Sequence, residues 1–221
     1  MLPEADSLQH TAGERGPAPL AESVLVLACG ALAREIQQLK QLNGWSHVKL
    51  QCLEAELHNR PEKIPGKLRA ALDKYRGQYE QIFIGYADCG TGGEIDRILA
   101  EEGLERLPGA HCYAFFTGLA EFDALAEEEI GSFYLTDFLT RHFDRLIVRG
   151  LKLDRHPELA EAYFGHYRRL VYLSQTHDPD LLAAAEQAAA YLGLAFKHVH
   201  TGYGALETSL NVQSIKWRPA S

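Results

Sequence analysis

Three cysteines follow predicted β-strands, either directly or after a short turn: Cys29 after residues 24–28, Cys89 after 82–86, and Cys112 after 104–107. The carboxyl ends of the strands in an open parallel sheet share one edge, and ligands bind there. Thiols that are far apart in the sequence are therefore expected to meet at this edge. Because thiolates bind soft metals and act as nucleophiles, the pattern predicts metal or thiol chemistry.

The three thiols are the core of a predicted metal site. Three thiolates with one imidazole or water suit Zn²⁺, and an open iron–sulfur cluster also fits, so the sequence leaves the cofactor undecided between them. His58 is the expected nitrogen ligand, although an acid–base role or a place in a helix cap fits its position as well. His111 and Cys112 are adjacent, so one is expected to bind the metal and the other to support it; Cys112 is the better ligand. The alternative is that the cysteines are buried as small hydrophobic residues.

A glycine-rich loop follows the third predicted strand and includes Cys89. Its residues Gly90, Thr91, Gly92 and Gly93 are predicted to bind a cofactor, because glycines let the backbone approach a ligand and helix N-terminal amides attract an anion. The same helix terminus would favour a Cys89 thiolate, which makes Cys89 the most consequential thiol. The glycine order does not match GxGxxG and no Walker lysine follows, so nucleotide binding is not supported. A tight turn with an incidental cysteine is the alternative.

Other reactive residue types carry weaker signals. Cys52 ends a strand at 47–51 that is only partly apolar, so packing is its expected role. Ser174, His177 and Asp178 lie close together in the sequence, but the GxSxG motif of a nucleophile elbow is absent. Asp178 before Pro179 instead predicts the beginning of a helix. The sequence therefore leaves the catalytic residues unassigned.

Strands and helices alternate along the chain, which predicts an α/β fold. The expected architecture is a mostly parallel sheet with helices on both faces, in a Rossmann-like, doubly wound arrangement. The remaining strands are predicted at 133–136, 169–174 and 194–200, and helices at 31–42, 65–76, 94–102, 137–149, 157–164 and 179–192. Residues 1–21 lack apolar periodicity and contain Pro17 and Pro19, so they are predicted to be a disordered tail before a single α/β domain at 22–221.

Composition limits the function classes. The 221 residues carry a formal net charge of -8, which argues against nucleic acid or an anionic membrane as the main partner. No apolar run approaches the roughly 18 residues of a membrane-spanning helix, and the N-terminus lacks the pattern of a signal peptide. A cytoplasmic location is therefore expected. Four cysteines are too few for a disulfide scaffold in a chain of this size, so they are expected to be thiols.

Several segments together resemble the bacterial and archaeal domain-of-unknown-function family sixteen-thirty-eight. The matching segments are 27–32, 57–64, 86–90, His111-Cys112, 131–136 and 165–170, and the likeness covers about 24–210. Members of this family often lie beside genes for corrinoid-dependent methyltransferases. The resemblance therefore implies a role near one-carbon or methyl-group transfer, with a corrinoid protein or methyltransferase as the partner.

Two functions from different classes follow. The favoured hypothesis is a metal-binding enzyme or accessory protein of corrinoid-dependent methyl transfer, with its metal at Cys29, Cys89, Cys112 and His58. The alternative is a metal-free ligand-binding or interaction module that holds an anionic metabolite at the glycine-rich edge and packs its thiols away.

Overall fold

The computed structural model describes residues 20–216, with side chains described for 24–210. Most of the tail predicted at 1–21 lies outside the described residues, and the first strand begins at Leu20, two residues before the expected start of the ordered fold. The single domain predicted for 22–221 stays a prediction. Within the described range, no helix has both the length and the apolar character needed to cross a membrane.

The described strands are all parallel and form two three-stranded sheets. The first sheet has the order β2-β1-β3, with β1 at Leu20–Cys29, β2 at Val48–Leu53 and β3 at Tyr79–Gly85. The second has the order β4-β5-β6, with β4 at Ser132–Thr136, β5 at Arg169–Ser174 and β6 at Ala195–His200. The predicted α/β class is confirmed, but the strands are divided between two sheets instead of one.

Helices connect the strands, and most of them lie where the sequence predicts. The α-helices are α1 Ala33–Leu42, α2 Ile64–Tyr75, α3 Glu94–Glu102, α4 Ala114–Thr117, α5 Leu119–Glu128, α6 Asp137–Arg141, α7 Leu159–Phe164, α8 Pro179–Leu192 and α9 Gly204–Lys216. Short 3₁₀ turns occupy Gly30–Leu32, Ala55–Asn59 and Pro61–Lys63. The sequence did not predict α5 or α9.

Two sequence predictions need correction. The helix predicted at 137–149 breaks after Arg141, and one turn of π-helix follows at Asp144–Val148. The strand predicted at 104–107 is a single parallel bridge between Ile84 and Arg106. The π-helical turn is closed by a bond from the amide of Arg149 to the carbonyl of Asp144. The bridge at Arg106 pairs with a residue far back in the chain, which local periodicity does not reveal.

Each sheet has its own apolar core. In the first half, Ile36 and Leu39 of α1 and Ile98 of α3 pack on β1 and β3 and are fully buried. In the second half, Ala185 and Ala189 of α8 pack on β5. Small side chains on this face of α8 let the helix approach the sheet closely, so its alanine-rich sequence also serves packing.

Contacts between the two halves lie beside the ends of the strands. The helix α6, which follows β4, contacts the 3₁₀ turn Gly30–Leu32 that follows β1. Asn59 donates a hydrogen bond to the carbonyl of Leu146 at 2.6 Å, and Arg145 forms an ion pair with Glu56 at 2.5 Å. The segments that follow the strands of the two sheets therefore meet, and they enclose the site described next.

Candidate functional site

Three of the four cysteines meet beside the carboxyl end of the first sheet. The sulfurs of Cys89 and Cys112 lie 3.1 Å apart, and Cys29 lies on the wall of the same cavity. All four cysteines are free thiols. The structure thus brings together the three cysteines that the sequence placed at one sheet edge; their role as metal ligands stays a prediction.

Backbone pairing beyond β3 explains why Cys89 lies next to Cys112. The amides of Asp88 and Cys89 donate to the carbonyls of Gly109 and Ala110, at 3.1 and 2.8 Å. These bonds continue the bridge beside β3 and align the two loops. Arg106 holds the second loop in place, because its guanidinium donates to the carbonyls of Leu107 and Gly109 while it pairs with the Asp96 carboxylate of α3.

Cys29 reaches the cluster from the end of β1. The chain turns there through Gly30, where an added Cβ would lie 2.7 Å from the carbonyl oxygen of Leu53. A larger residue at this position would push the ends of β1 and β2 apart, so glycine is required for the close approach. The turn leaves Cys29 buried against Cys112.

The pKa values of Cys29 and Cys112 are shifted in opposite directions. A hydrogen bond from Cys112 lowers the pKa of Cys29, against the opposing effect of burial. The pKa of Cys112 is raised well above its ordinary value, because its proton is held by hydrogen bonds to Cys29 and Cys89 and because the thiol is buried. The proton is therefore held on Cys112, and the thiolate form is favoured at Cys29.

His58 lies at the same site, on the 3₁₀ turn Ala55–Asn59. Its Nε2 is 3.0 Å from the hydroxyl of Tyr113, next to Cys112 in sequence. Burial, and then the charge of His111, lower the pKa of His58, so its imidazole stays neutral at pH 7. Neutral imidazole is the form that binds metals. Burial likewise lowers the pKa of His111.

The glycine-rich loop binds a carboxylate of the same chain, that of Asp88. The amide of Gly93 and the hydroxyl of Thr91 donate to Asp88 Oδ1, each at 2.8 Å, and the amide of Gly92 lies 3.3 Å from Oδ2. The amide of Thr91 donates to the Asp88 carbonyl. An anionic cofactor at Gly90, Thr91, Gly92 and Gly93 would have to displace Asp88, so the cofactor role of these residues stays a prediction without structural support.

Cys89 has an unusual backbone conformation. Its φ of 50° is in the left-handed region that favours glycine. A non-glycine residue there costs about 1–2 kcal/mol. The amides of Gly92 and Gly93, just before α3, are bonded to the Asp88 carboxylate, and the amide of Glu94 at its beginning donates to the Thr91 carbonyl. The loop therefore positions the Cys89 sulfur against Cys112 without offering it those amides.

A cavity of about 540 Å³ opens beside the thiols. Cys29, Cys89 and Cys112 contribute to its wall, together with His58 and His111. The second half contributes the following side chains: Ser132, Phe133, Tyr134, Thr136, Leu139, His166 and Tyr167. The cavity therefore lies between the two sheets. Another cavity, beside Gly77 and Glu105, lies away from the thiols and carries no such groups.

The donor set suits a thiophilic metal, but it is not arranged around one. Among the described side chains, no three His, Cys, Asp or Glu residues already surround a point where they could hold an ion. Two thiolates on one tetrahedral zinc, each at about 2.3 Å, would be about 3.8 Å apart. Cys89 and Cys112 are closer than that, at the distance of a thiol–thiol hydrogen bond. Binding would therefore require deprotonation and a small separation of these sulfurs.

The other reactive residues lie elsewhere. Cys52 is half-buried on β2, and burial, with a smaller contribution from Cys29, raises its pKa to about 11. Ser174 is buried, and its hydroxyl is within 3 Å of ring nitrogens of both His198 and His200. This second polar cluster lies at the end of β5 and β6. Asp178 accepts from the amides of Asp180 and Leu181 and begins α8, as predicted.

Two buried carboxylates were not predicted. Asp137 is fully buried after β4 and accepts hydrogen bonds from the loop that follows β5. Glu35 is 2% exposed on α1, and its Oε2 has no hydrogen-bond partner among the described residues. Periodicity gives no signal for Asp137, which resembles a helix cap in the sequence. Glu35 does have a signal, because it occupies an apolar position next to Ile36 and Leu39.

We expect the difference in free energy of unfolding between Glu35→Gln and wild type to favour the variant more at pH 7.5 than at pH 4.5. Burial, and to a lesser extent Asp137, raise the pKa of Glu35 above its ordinary value of 4.5. Stability from such a group is present below the unfolded pKa and is lost as the pH rises through the folded pKa. Glutamine removes that loss, which for an unsatisfied buried group is about 1–3 kcal/mol.

Urea unfolding at the two pH values measures this difference. Glu186→Gln, on the exposed face of α8, is the matched control and should change stability equally at both. An effect of Glu35→Gln that is independent of pH would contradict the assignment.

Comparisons with known proteins give one match. A family model described as "Protein of unknown function (DUF1638)" matches residues 52–210. The matched range contains Cys89, Cys112 and His58 but begins after Cys29. The search of curated proteins gave no match, and neither did the search of solved structures.

Proposed function

Since the chain belongs to the family described as protein of unknown function (DUF1638), we propose that it is a metal-binding protein whose centre is built from Cys29, Cys89 and Cys112. The observation that carries this proposal is the meeting of the three thiols on one cavity wall, where the sulfurs of Cys89 and Cys112 are 3.1 Å apart. Three structural thiols rarely need to converge beside a cavity, whereas three ligands of one centre must.

The surrounding groups support ligation. His58 is neutral at pH 7 and is oriented by the Tyr113 hydroxyl, as metal-binding imidazoles usually are by a second hydrogen bond. The lowered pKa of Cys29 favours its thiolate, the form that binds a metal. Zinc or an iron–sulfur cluster fits this donor set, and the choice between them stays open.

For the biological role we propose corrinoid-dependent methyl transfer in the cytoplasm, with a corrinoid protein or methyltransferase as partner. Bound zinc would activate a methyl-accepting thiol, and a bound cluster would pass electrons to oxidised cobalt. The resemblance to a family encoded beside such methyltransferases supports this finer proposal. The chain's own residues would hold the centre, keep His58 neutral and enclose the cavity beside it.

The test is metal analysis of protein that is purified without oxygen. Stoichiometric zinc in colourless protein, or iron and sulfide with visible absorption, would support the metal centre and identify it. Protein that stays free of metal after incubation with Zn²⁺ and after cluster reconstitution would contradict it. The anion-binding alternative has less support, because Asp88 already occupies the amides of the glycine-rich loop.

A further inference from the structure

Aromatic rings form a large part of the cavity wall beside the thiols. Tyr113, Phe122 and Tyr134 line it and contact one another, with ring centroids 4.9–6.3 Å apart. Phe133 and Tyr167 add two more rings to the lining. The faces of these rings carry partial negative charge, so the wall is electron-rich as well as apolar.

The wall contains no charged side chain. Among the described residues that line the cavity there is no Asp, Glu, Lys or Arg. An anionic ligand would find no Lys or Arg there, and the amides of Gly92 and Gly93 in the neighbouring loop are already bonded to Asp88. The chain as a whole has a formal net charge of -8, which favours the approach of cations over anions.

A cation with N–H groups is also a poor fit. A primary ammonium has three donors, which need acceptors when it is removed from water. The lining has hydroxyls and ring nitrogens that can accept single hydrogen bonds, but it has no carboxylate to neutralise an ammonium. A methylated ammonium or sulfonium has no N–H donors, and aromatic faces within about 6 Å stabilise it directly.

We propose that the cavity binds a ligand bearing a methylated onium group, a quaternary ammonium or a sulfonium, against the ring cluster Tyr113, Phe122 and Tyr134. The cavity volume of about 540 Å³ is in the range of small-molecule sites and leaves room for more than the onium group. This inference rests on the proposed function in that it names the ligand of the same site, but binding to the rings does not require the metal.

Isothermal titration of the full chain with four small probes tests the proposal. Choline is compared with its neutral isostere 3,3-dimethylbutan-1-ol, its primary-amine analogue ethanolamine, and the anion 3,3-dimethylbutanoate. Choline is expected to bind at least about tenfold more tightly than each of the others, since one desolvated cation–π contact supplies that factor. The affinities for trimethylsulfonium and tetramethylammonium, measured in the same way, then show which of the two onium classes the cavity prefers.

Variants locate the site. Phe122→Leu and Tyr134→Leu keep apolar volume but remove a ring, and each should weaken choline at least about fivefold. Tyr191→Leu is the matched control, because Tyr191 is 54% exposed and does not line the cavity. Equal binding of choline and the neutral isostere, tighter binding of the anion, or no binding of choline would each overturn the proposal.

The same titrations with chelator-treated and metal-loaded protein separate this proposal from the metal centre. If the protein bound choline but never took up metal, the proposed onium site would be supported and the proposed metal centre would be contradicted. If the protein bound stoichiometric metal but did not prefer choline, the metal centre would be supported and the onium site would be contradicted. The comparison of probes on the wild-type protein does not depend on any variant being folded.

Discussion

Cys112→Ser is expected to remove most of the bound metal while the fold persists. The sulfur of Cys112 lies 3.1 Å from that of Cys89, and Cys112 also lowers the pKa of Cys29, so its loss removes a ligand that interacts with both of the other thiols. Serine keeps the size but offers a hard, protonated hydroxyl. Because even supporting residues of metal sites change affinity about 10–100-fold, the loss of this ligand should exceed about 100-fold.

Controls make this result specific. Cys89→Ser should behave in the same way, and Cys52→Ser should keep the metal, because burial raises the pKa of Cys52 to about 11 and holds it as a thiol. Metal-to-protein ratios and far-ultraviolet circular dichroism of the three variants measure occupancy and folding. Full occupancy in Cys112→Ser, with loss in Cys52→Ser, would show that the centre has been assigned to the wrong cysteines.

Asp137→Ala is expected to be the most destabilising single change outside the apolar cores. The carboxylate is fully buried, and its acceptor positions are filled by the Tyr172 hydroxyl at 2.7 Å and by the amides of Gln175 and Thr176 at 3.0 and 3.1 Å. The Thr176 hydroxyl also donates to it. Removal leaves these donors buried and unpaired, at a cost of about 3–5 kcal/mol.

Smaller changes in the hydrogen-bond network of Asp137 give a scale for the destabilisation expected of Asp137→Ala. Tyr172→Phe removes one donor but keeps the carboxylate, and it should cost about 1–2 kcal/mol. Asp123→Ala, on the exposed face of α5, should stay within about 0.5 kcal/mol of wild type. Urea unfolding measures all three. If Asp137→Ala were no less stable than Asp123→Ala, the hydrogen bonds between the ends of β4 and β5 would not contribute as argued.

The Asp137 network also affects the cavity. Thr136 and Leu139, on either side of Asp137, belong to the cavity wall. Asp137 fixes the end of β4 against the loop that follows β5, so it positions this part of the wall. A folded Asp137→Asn variant should therefore bind choline more weakly than wild type, even though Asp137 does not line the cavity itself.

The sequence alone determined the alternation of elements and the edge on which the thiols lie. The bounds of α3, α8 and β5 agree residue for residue with the predictions at 94–102, 179–192 and 169–174. These segments have clear apolar periodicity and distinct end signals, such as Asp178 before Pro179. The convergence of Cys29, Cys89 and Cys112 followed from one rule of parallel sheets.

Only the tertiary structure decided how the site is built. The division into two sheets and the cavity between the halves depend on contacts between residues far apart in the chain. Asp88 accepts hydrogen bonds from the amides of Gly92 and Gly93, which the glycine spacing had offered to an anion, and Cys112 lowers the pKa of Cys29. Periodicity indicates which face of an element is buried, but it does not indicate which distant group packs against that face. The pKa values of the thiols depend on the distances between such groups.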